Sequence, residues 1–324
     1  MMAILRSALL GFGMIAAVFA GPVSGQEQSG DLDWRPRVAV PAYATGGPLV
    51  RVDEGHGSAQ TIDGRYAGFA ALMRADGYRV DAGQGRLDTP DALDDVAVLV
   101  ISNPTAPEDG SSLSAYDAAE IEAVAQWVAG GGSLLLAADH APHGVAAEAL
   151  AARFGVRMGK GYAFQQVGAD LTSNLDFPRQ ALADHPIIAG RSADERVERI
   201  KTFTGQSLDG PVGAAVLMAM SVDAFEAPDQ AALQTIRQRL RAGEPAQTVF
   251  AELARPALSA QGVAFTFGEG RVVVLGEAGM LTAQIVRFPD QPDREPFRFG
   301  LNIESHDDQQ FALNLMHWLS RVLP

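Results

Sequence analysis

The sequence predicts an α/β fold, a mostly parallel sheet flanked by helices on both faces, with an irregular elaboration in the middle of the chain. Short β-branched runs alternate with stretches of helical periodicity. Two of those runs, Val96 to Ile101 and Ser133 to Ala138, are apolar throughout, the pattern of strands buried on both faces of a parallel sheet. After residues 26–30 no internal repeat or low-complexity tract interrupts the alternation. With 324 residues, 47% hydrophobic and 20% charged, the chain can bury roughly three quarters of its unfolded surface, which excludes intrinsic disorder.

The elements follow in order. Arg6 is the only charge ahead of an apolar run from Ala8 to Ala20, and small residues follow from Gly21 to Gly25. This is the layout of a secretory signal peptide over 1–25, too short in its apolar part for the roughly 20 residues of a membrane span. Cleavage is expected after Gly25, with Ala20 as the alternative, and the mature protein is expected in the periplasm. Residues 26–36 read as a flexible mature N-terminus and 37–324 as one α/β domain, elaborated over about 162–260.

Leu49 to Val52 reads as a strand, and Arg65 to Ala75 as a helix whose Tyr66, Phe69, Leu72 and Met73 share one face. After the Val96 strand, a helix is expected from Ser114, with Asp117 completing a variant capping box and Gly130-Gly-Gly stopping it. Val145 to Phe154 supplies the next helix. Asp184 to Gly190 reads as a turn, Arg199 to Phe203 and Ala214 to Met220 as short strands, and Asp229 to Arg241 as a polar surface helix. Val263 to Phe267 and Arg271 to Leu275 form a hairpin through Gly268-Glu-Gly270. An amphipathic helix from Asp308 to Leu323 closes the chain, burying Phe311, Leu315, Trp318, Leu319 and Val322.

Ligand chemistry in such a fold collects outside the carboxyl ends of the strands. Four strands deliver polar clusters there: Asp53-Glu54-Gly55-His56-Gly57, Ser102-Asn103-Pro104, Asp139-His140-Ala141-Pro142-His143, and Gly276-Glu277-Ala278-Gly279. His140, Asp139, Glu54 and Glu277 are therefore the candidate catalytic residues. His56, His140, Asp139 and Glu54 are the candidate ligands of a divalent metal such as zinc, which lowers the pKa of bound water. Without a metal, neutral His140 suits the role of general base, oriented by Asp139 or Glu54. The structural alternatives are definite: Asp139 caps the helix near Gly144 while His140 bonds its own loop, residues 53–56 form a solvated turn, and Glu277 caps the helix near Met280. His143 and His185 read as loop and turn residues, His317 as a packed helix residue, and His306 as a residue able to cover the crevice. Tyr162 and Phe164 are candidate aromatic contacts for a sugar.

Whole classes of function are excluded. There are 39 acidic and 25 basic side chains, and the net charge of −14 opposes attraction to nucleic acid or anionic lipid. No cysteine is present, which removes disulfides, thiolate metal sites and cysteine nucleophiles. Nucleophile-elbow, His-Glu-x-x-His, Walker and Gly-x-Gly-x-x-Gly motifs are missing, so neither a nucleotide nor a flavin is expected.

The strings Asp53-Glu-Gly-His-Gly57, Thr61 to Tyr66, Gly130 to His140, Phe203 to Leu208, Gly276 to Met280 and Gln310 to Leu319 resemble a bacterial family of the class I glutamine-amidotransferase-like superfamily, over most of the chain from about Val50. The resemblance implies a flavodoxin-like sandwich. It also places Asp139-His140 at the sharp turn that carries the nucleophile in true amidotransferases; with no thiol in the chain, that route to glutamine hydrolysis is ruled out. Two classes of function remain: an exported hydrolase acting on a small polar or carbohydrate-like substrate, and a non-catalytic periplasmic protein binding such a ligand. No nucleic-acid or membrane partner is expected for the mature chain.

Overall fold

The computed structural model describes residues 27–289, 293 and 295–324. The expected signal peptide lies outside the described residues. Five strands run parallel in the order Arg79–Gly83, Leu49–Asp53, Val96–Ser102, Ser133–Ala137 and Gly270–Leu275. Numbered along the chain this is 2-1-3-4-5, the flavodoxin-like order. Beyond the fifth strand the sheet turns antiparallel: Ala260–Phe267 pairs with Gly270–Leu275, followed by Leu208–Asp209 and Arg157–Met158, while Ala215–Ala219 also pairs with Ala260–Phe267.

Strand alternation divides the apolar side chains between two cores. Val50, Val52, Val98, Val100, Leu135 and Val273 pack with Phe69 and Leu72 of the Ala67–Ala75 helix and with Phe311 and Leu315 of the Asp308–Leu319 helix. Leu99, Ile101, Leu134, Leu136, Val272 and Val274 pack on the other face with Val124 and Val128 of the Ala118–Ala129 helix and Leu150 of the His143–Arg153 helix. The central parallel strands Val96–Ser102 and Ser133–Ala137 are thus buried on both sides, which is why they carry no polar alternation, while the edge strand Arg79–Gly83 is not.

Several expected boundaries move. The second helix begins at Ala118, not Ser114: Asp117 is its N-cap and Glu120 completes the capping box, whereas the Ser114 hydroxyl serves a local turn with Tyr116. The last helix ends at Leu319, because Arg321 adopts a left-handed φ of 67°. Residues 184–190 are more than a turn: His185 caps a short helix, Pro186–Ala189, with its Nδ1 accepting the Ile187 N–H. Within the stretch expected to be a flexible terminus, Glu27–Gly30 forms a strand paired with Ala283–Arg287.

In the elaboration, Ala224–Ala227, Tyr162–Val167 and Asp170–Thr172 make a small antiparallel sheet. Helices Gln230–Arg241 and Ala246–Ala251 close over it on Phe164, Phe225, Leu233, Ile236, Val249 and Phe250. Among the described residues no helix is long and apolar enough to cross a membrane.

Candidate functional site

The carboxyl ends of Leu49–Asp53 and Ser133–Ala137 lie on one rim of the sheet with a single strand between them, so they stand about 10 Å apart at the usual strand spacing. Their polar side chains nevertheless go to different places.

Asp53 faces the Ala118–Ala129 side. Its carboxylate accepts from Tyr116 Oη at 2.7 Å and lies 2.8 Å from His56 Nδ1, while His56 Nε2 lies 3.0 Å from Glu120 Oε1. Both carboxylate groups are almost fully buried. A ring with a carboxylate at each nitrogen is satisfied at both only as imidazolium, donating to each. Burial alone would lower the pKa of His56; hydrogen bonds to and charges on Asp53 and Glu120 together outweigh it and raise it. His56 is therefore a positive tie between strand and helix, with no nitrogen lone pair for a metal. Glu54 is committed as well: its two oxygens accept from the Ile62 N–H and from Gln84 Nε2, each at 2.7 Å, which ties down the 55–62 loop.

Asp139 occupies the second cluster. Its Oδ2 accepts from Asn103 Nδ2 at 2.7 Å, its own N–H donates to Asn103 Oδ1 at 2.8 Å, and its Oδ1 accepts the Ala278 N–H at 2.8 Å. One carboxylate thus pins three strand ends together. Asn103 sits at a φ of 42°, a left-handed conformation that Asn tolerates better than most residues. Tyr66, from the opposite face, donates to the Ala278 carbonyl and accepts from Ser102 Oγ. Glu277 caps the short helical turn Gly279–Leu281 by accepting the Gly279 and Met280 N–H groups at 2.6 and 2.7 Å. Burial, and then the charge on Asp139, push its pKa well up.

His140 is different. Its Nδ1 lies 2.8 Å from the Ala141 carbonyl oxygen, an acceptor only, so Nδ1 carries the proton and Nε2 of the neutral ring keeps its lone pair. Burial lowers its pKa, against the Ala141 hydrogen bond and the Asp139 charge, with His143 adding to the lowering. The ring stacks on Tyr162 with centroids 3.6 Å apart, and Tyr162 Oη donates to the same Ala141 carbonyl. Gln206 holds the loop from below, donating to the Ala138 and Asp139 carbonyls and accepting the Lys160 N–H.

His140 and Tyr162 line a cleft of about 490 Å³, shared with Arg65, Ser173, Thr204 and Arg237. Thr204 (φ 59°), on its lining, and the following Gly205 (φ 69°) are successive left-handed residues; a Cβ on Gly205 would meet the Gly276 carbonyl at 2.4 Å. Of the expected catalytic set, Asp139 lies near both His140 and Glu277, Glu54 stands apart, and His140 is the one of the four that lines the cleft. The expected metal quartet of His56, His140, Asp139 and Glu54 is not assembled, and among the described residues no group of three or more such side chains is placed to hold a metal ion. Phe164 is buried in the elaboration's core and offers nothing to a ligand.

The remaining histidines are accounted for locally. His143 Nδ1 lies 3.2 Å from the Pro104 carbonyl, and His317 is fully buried against Asp76 at 2.7 Å. His306 lies 3.5 Å from Asp176 and lines a separate recess of about 550 Å³, so it does not cover the cleft that holds His140. Arg237 was not among the residues the sequence singled out, and Arg65 and Gln206 stood only inside the strings Thr61 to Tyr66 and Phe203 to Leu208, with no part in a site. The two arginines sit away from the strand ends, and a polar position on a surface helix or loop carries no mark of the cavity beside it.

Neither a family model nor a curated protein matches the chain. The N-terminal domain of mmIFT52 superposes with a TM-score of 0.54 at 12% identity, over 84% of this chain and 97% of that one, which shows a shared fold. A ThuA-like protein from Bacteroides uniformis gives 0.43 at 9% identity, over 88% and 94%. The exo-β-1,4-mannosidase Op5Man5 from an Opitutaceae bacterium gives 0.38 at 14% identity, over 86% of this chain but 36% of the enzyme.

Proposed function

We propose that the chain is a hydrolase for a small polar, carbohydrate-sized substrate, with His140 as the group that takes a proton from attacking water. The observation that carries this reading is the state of His140: a neutral imidazole, its tautomer fixed by Ala141 and its plane fixed by Tyr162, on the wall of a cleft of ligand size. Asp139 acts as a positioning residue, since both its oxygens are spent on Asn103 and Ala278 rather than on the ring. Glu277, with its raised pKa, holds the adjoining turn. No step in this reading needs a metal. Export through the leader pattern over 1–25 belongs to the same proposal, and N-terminal sequencing of secreted protein is expected to begin at Gln26.

The competing reading is ligand binding without chemistry. It is favoured by one feature: among the described residues no carboxylate orients His140. A panel of p-nitrophenyl esters and glycosides separates the two. Hydrolysis by the wild-type chain should fall by about 10²–10⁴-fold in His140→Ala, the span general-base catalysis supplies. Its acid limb should lie below the ordinary imidazole value. A wild-type chain inert across the panel, or a His140→Ala chain as active as its parent, sinks the hydrolase reading.

A further inference from the structure

The chain has a large excess of carboxylates, and several of its arginines have paired with one. Arg51 pairs with Asp81, Arg86 with Asp88 and Asp117, Arg153 with Glu122, Arg157 with Asp209, Arg191 with Glu195, Arg199 with Asp176, and Arg239 with Glu244 and Glu252. Two arginines on the wall of the His140 cleft have not. Arg237, half-buried on the Gln230–Arg241 helix, donates to Ser173 Oγ and has no carboxylate within 4 Å among the described residues. Arg65 has no hydrogen-bond partner among the described residues and lines the same space from the loop before the Ala67–Ala75 helix. A guanidinium carries five donors, and for the half-buried Arg237 the loss of water without an anion is costly unless something arrives to pair with it, while Arg65 is exposed and free to turn toward such a group. Burial lowers the pKa of Arg237, Arg241 adds to the lowering, and Asp170 opposes it too weakly to cancel it.

We propose that this cleft takes a small organic anion, its carboxylate, sulfate or phosphate held between Arg65 and Arg237 and its polar body beside His140, Tyr162 and Thr204. Planar guanidinium groups match such oxyanions with paired hydrogen bonds. The neutral His140 adds an uncharged hydrogen-bonding group, so it does not demand a second negative charge. A volume of about 490 Å³ suits a monosaccharide acid or ester rather than a polymer. In a protein of charge −14 the general field repels anions, so capture has to be local, at these two side chains.

This inference rests on the same cleft as the proposed function but not on turnover. The full chain is titrated at constant ionic strength with glucose, glucuronate, glucose 6-phosphate, acetate, sulfate and inorganic phosphate, with thermal unfolding and calorimetry as readouts. The anionic probes are expected to raise the melting temperature and glucose is not; whether glucuronate or glucose 6-phosphate binds tighter identifies the oxyanion. Arg237→Gln and Arg65→Gln should each weaken binding by about tenfold or more. Without anion, Arg237→Gln should melt no lower than the parent, because it removes an unpaired charge. His140→Ala should keep binding of sulfate and inorganic phosphate, which have no polar body to reach His140, so loss of hydrolysis with retained binding of these two ions speaks for both readings at once. Equal response to glucose and glucuronate, no response to any anion, or undiminished binding by the arginine variants overturns the anion site whatever becomes of the hydrolase.

Discussion

His56 and His140 stand on one rim of the sheet, and their surroundings pull their protons in opposite directions. The pKa of His56 is raised above the ordinary 6.5, so its stabilising contribution is complete below that value and is lost as pH climbs through the higher folded-state value. His140 is lowered, so the folded chain resists the proton that the unfolded chain accepts; stability falls as pH drops below 6.5 toward the folded-state value. Melting curves between about pH 5 and pH 9 should resolve the two. His56→Gln is expected to remove the alkaline loss and His140→Gln to lessen the acid loss, the rest of which comes from His185 and His306, lowered by burial as well; exchanged slopes would contradict the two protonation states. His56→Ala should also cost about 3–5 kcal/mol near neutral pH, because it leaves Asp53 buried without a cation and Glu120 with only Arg86, 3.7 Å away. The sequence showed both histidines as candidates and could not tell them apart: the partner that commits His56, Glu120, comes from a helix face and not from a strand end.

The Ala118–Ala129 helix shows how one element can be anchored at its first turn. Asp117 accepts the Ala119 and Glu120 N–H groups at 2.9 and 3.1 Å. Glu120 returns one oxygen to the Asp117 N–H and gives the other to His56 and to the Leu87 N–H. Asp117→Ala should therefore cost about 1 kcal/mol, the usual value of a cap. Glu120→Ala should cost several times more, since it leaves Nε2 of the His56 imidazolium and the Leu87 N–H unpaired together. Urea unfolding of the two variants checks the ratio; equal losses would mean that the His56 tie contributes nothing. From sequence the helix and its Gly130 stop were legible, because both depend on local periodicity and on a residue that ends helices. Its start was displaced by four residues, from Ser114 to Ala118: Ser114 and Asp117 are both good caps in isolation, and the hydrogen bond from Tyr116 to Asp53 favours the second.

Four of the five parallel strands and the helices between them were readable across the whole molecule, since burial writes itself into apolar runs, whereas the edge strand Arg79–Gly83, with no fully buried side chain, left no such run and went unpredicted. The meeting of Arg65, Tyr162 and Arg237 was not, because three distant segments supply one each and none has a pattern of its own. The C-terminal helix joins the legible part to the rest. Asp308–Leu319 buries Phe311, Leu315, Met316, Trp318 and Leu319 against the first core. Asn314 donates to the Ile187 and Glu195 carbonyls, His317 meets Asp76, and the Leu319 carbonyl accepts from Ser133 Oγ inside the central sheet. Those five apolar side chains contribute about 2 kcal/mol each, on the order of 10 kcal/mol together, against a total stability of about 5–15 kcal/mol for a folded domain. Deleting the helix would also strand Asp76, the Ser133 hydroxyl and two carbonyls in the interior. A chain ending at Ile303 is therefore expected to lack a cooperative melt and to expose apolar surface to a dye such as ANS, although every parallel strand and the whole His140 cleft remain in its sequence. A truncated chain that stays monomeric, melts cooperatively and binds the same anions would show that the last helix is an accessory to the sheet and not part of what holds it together.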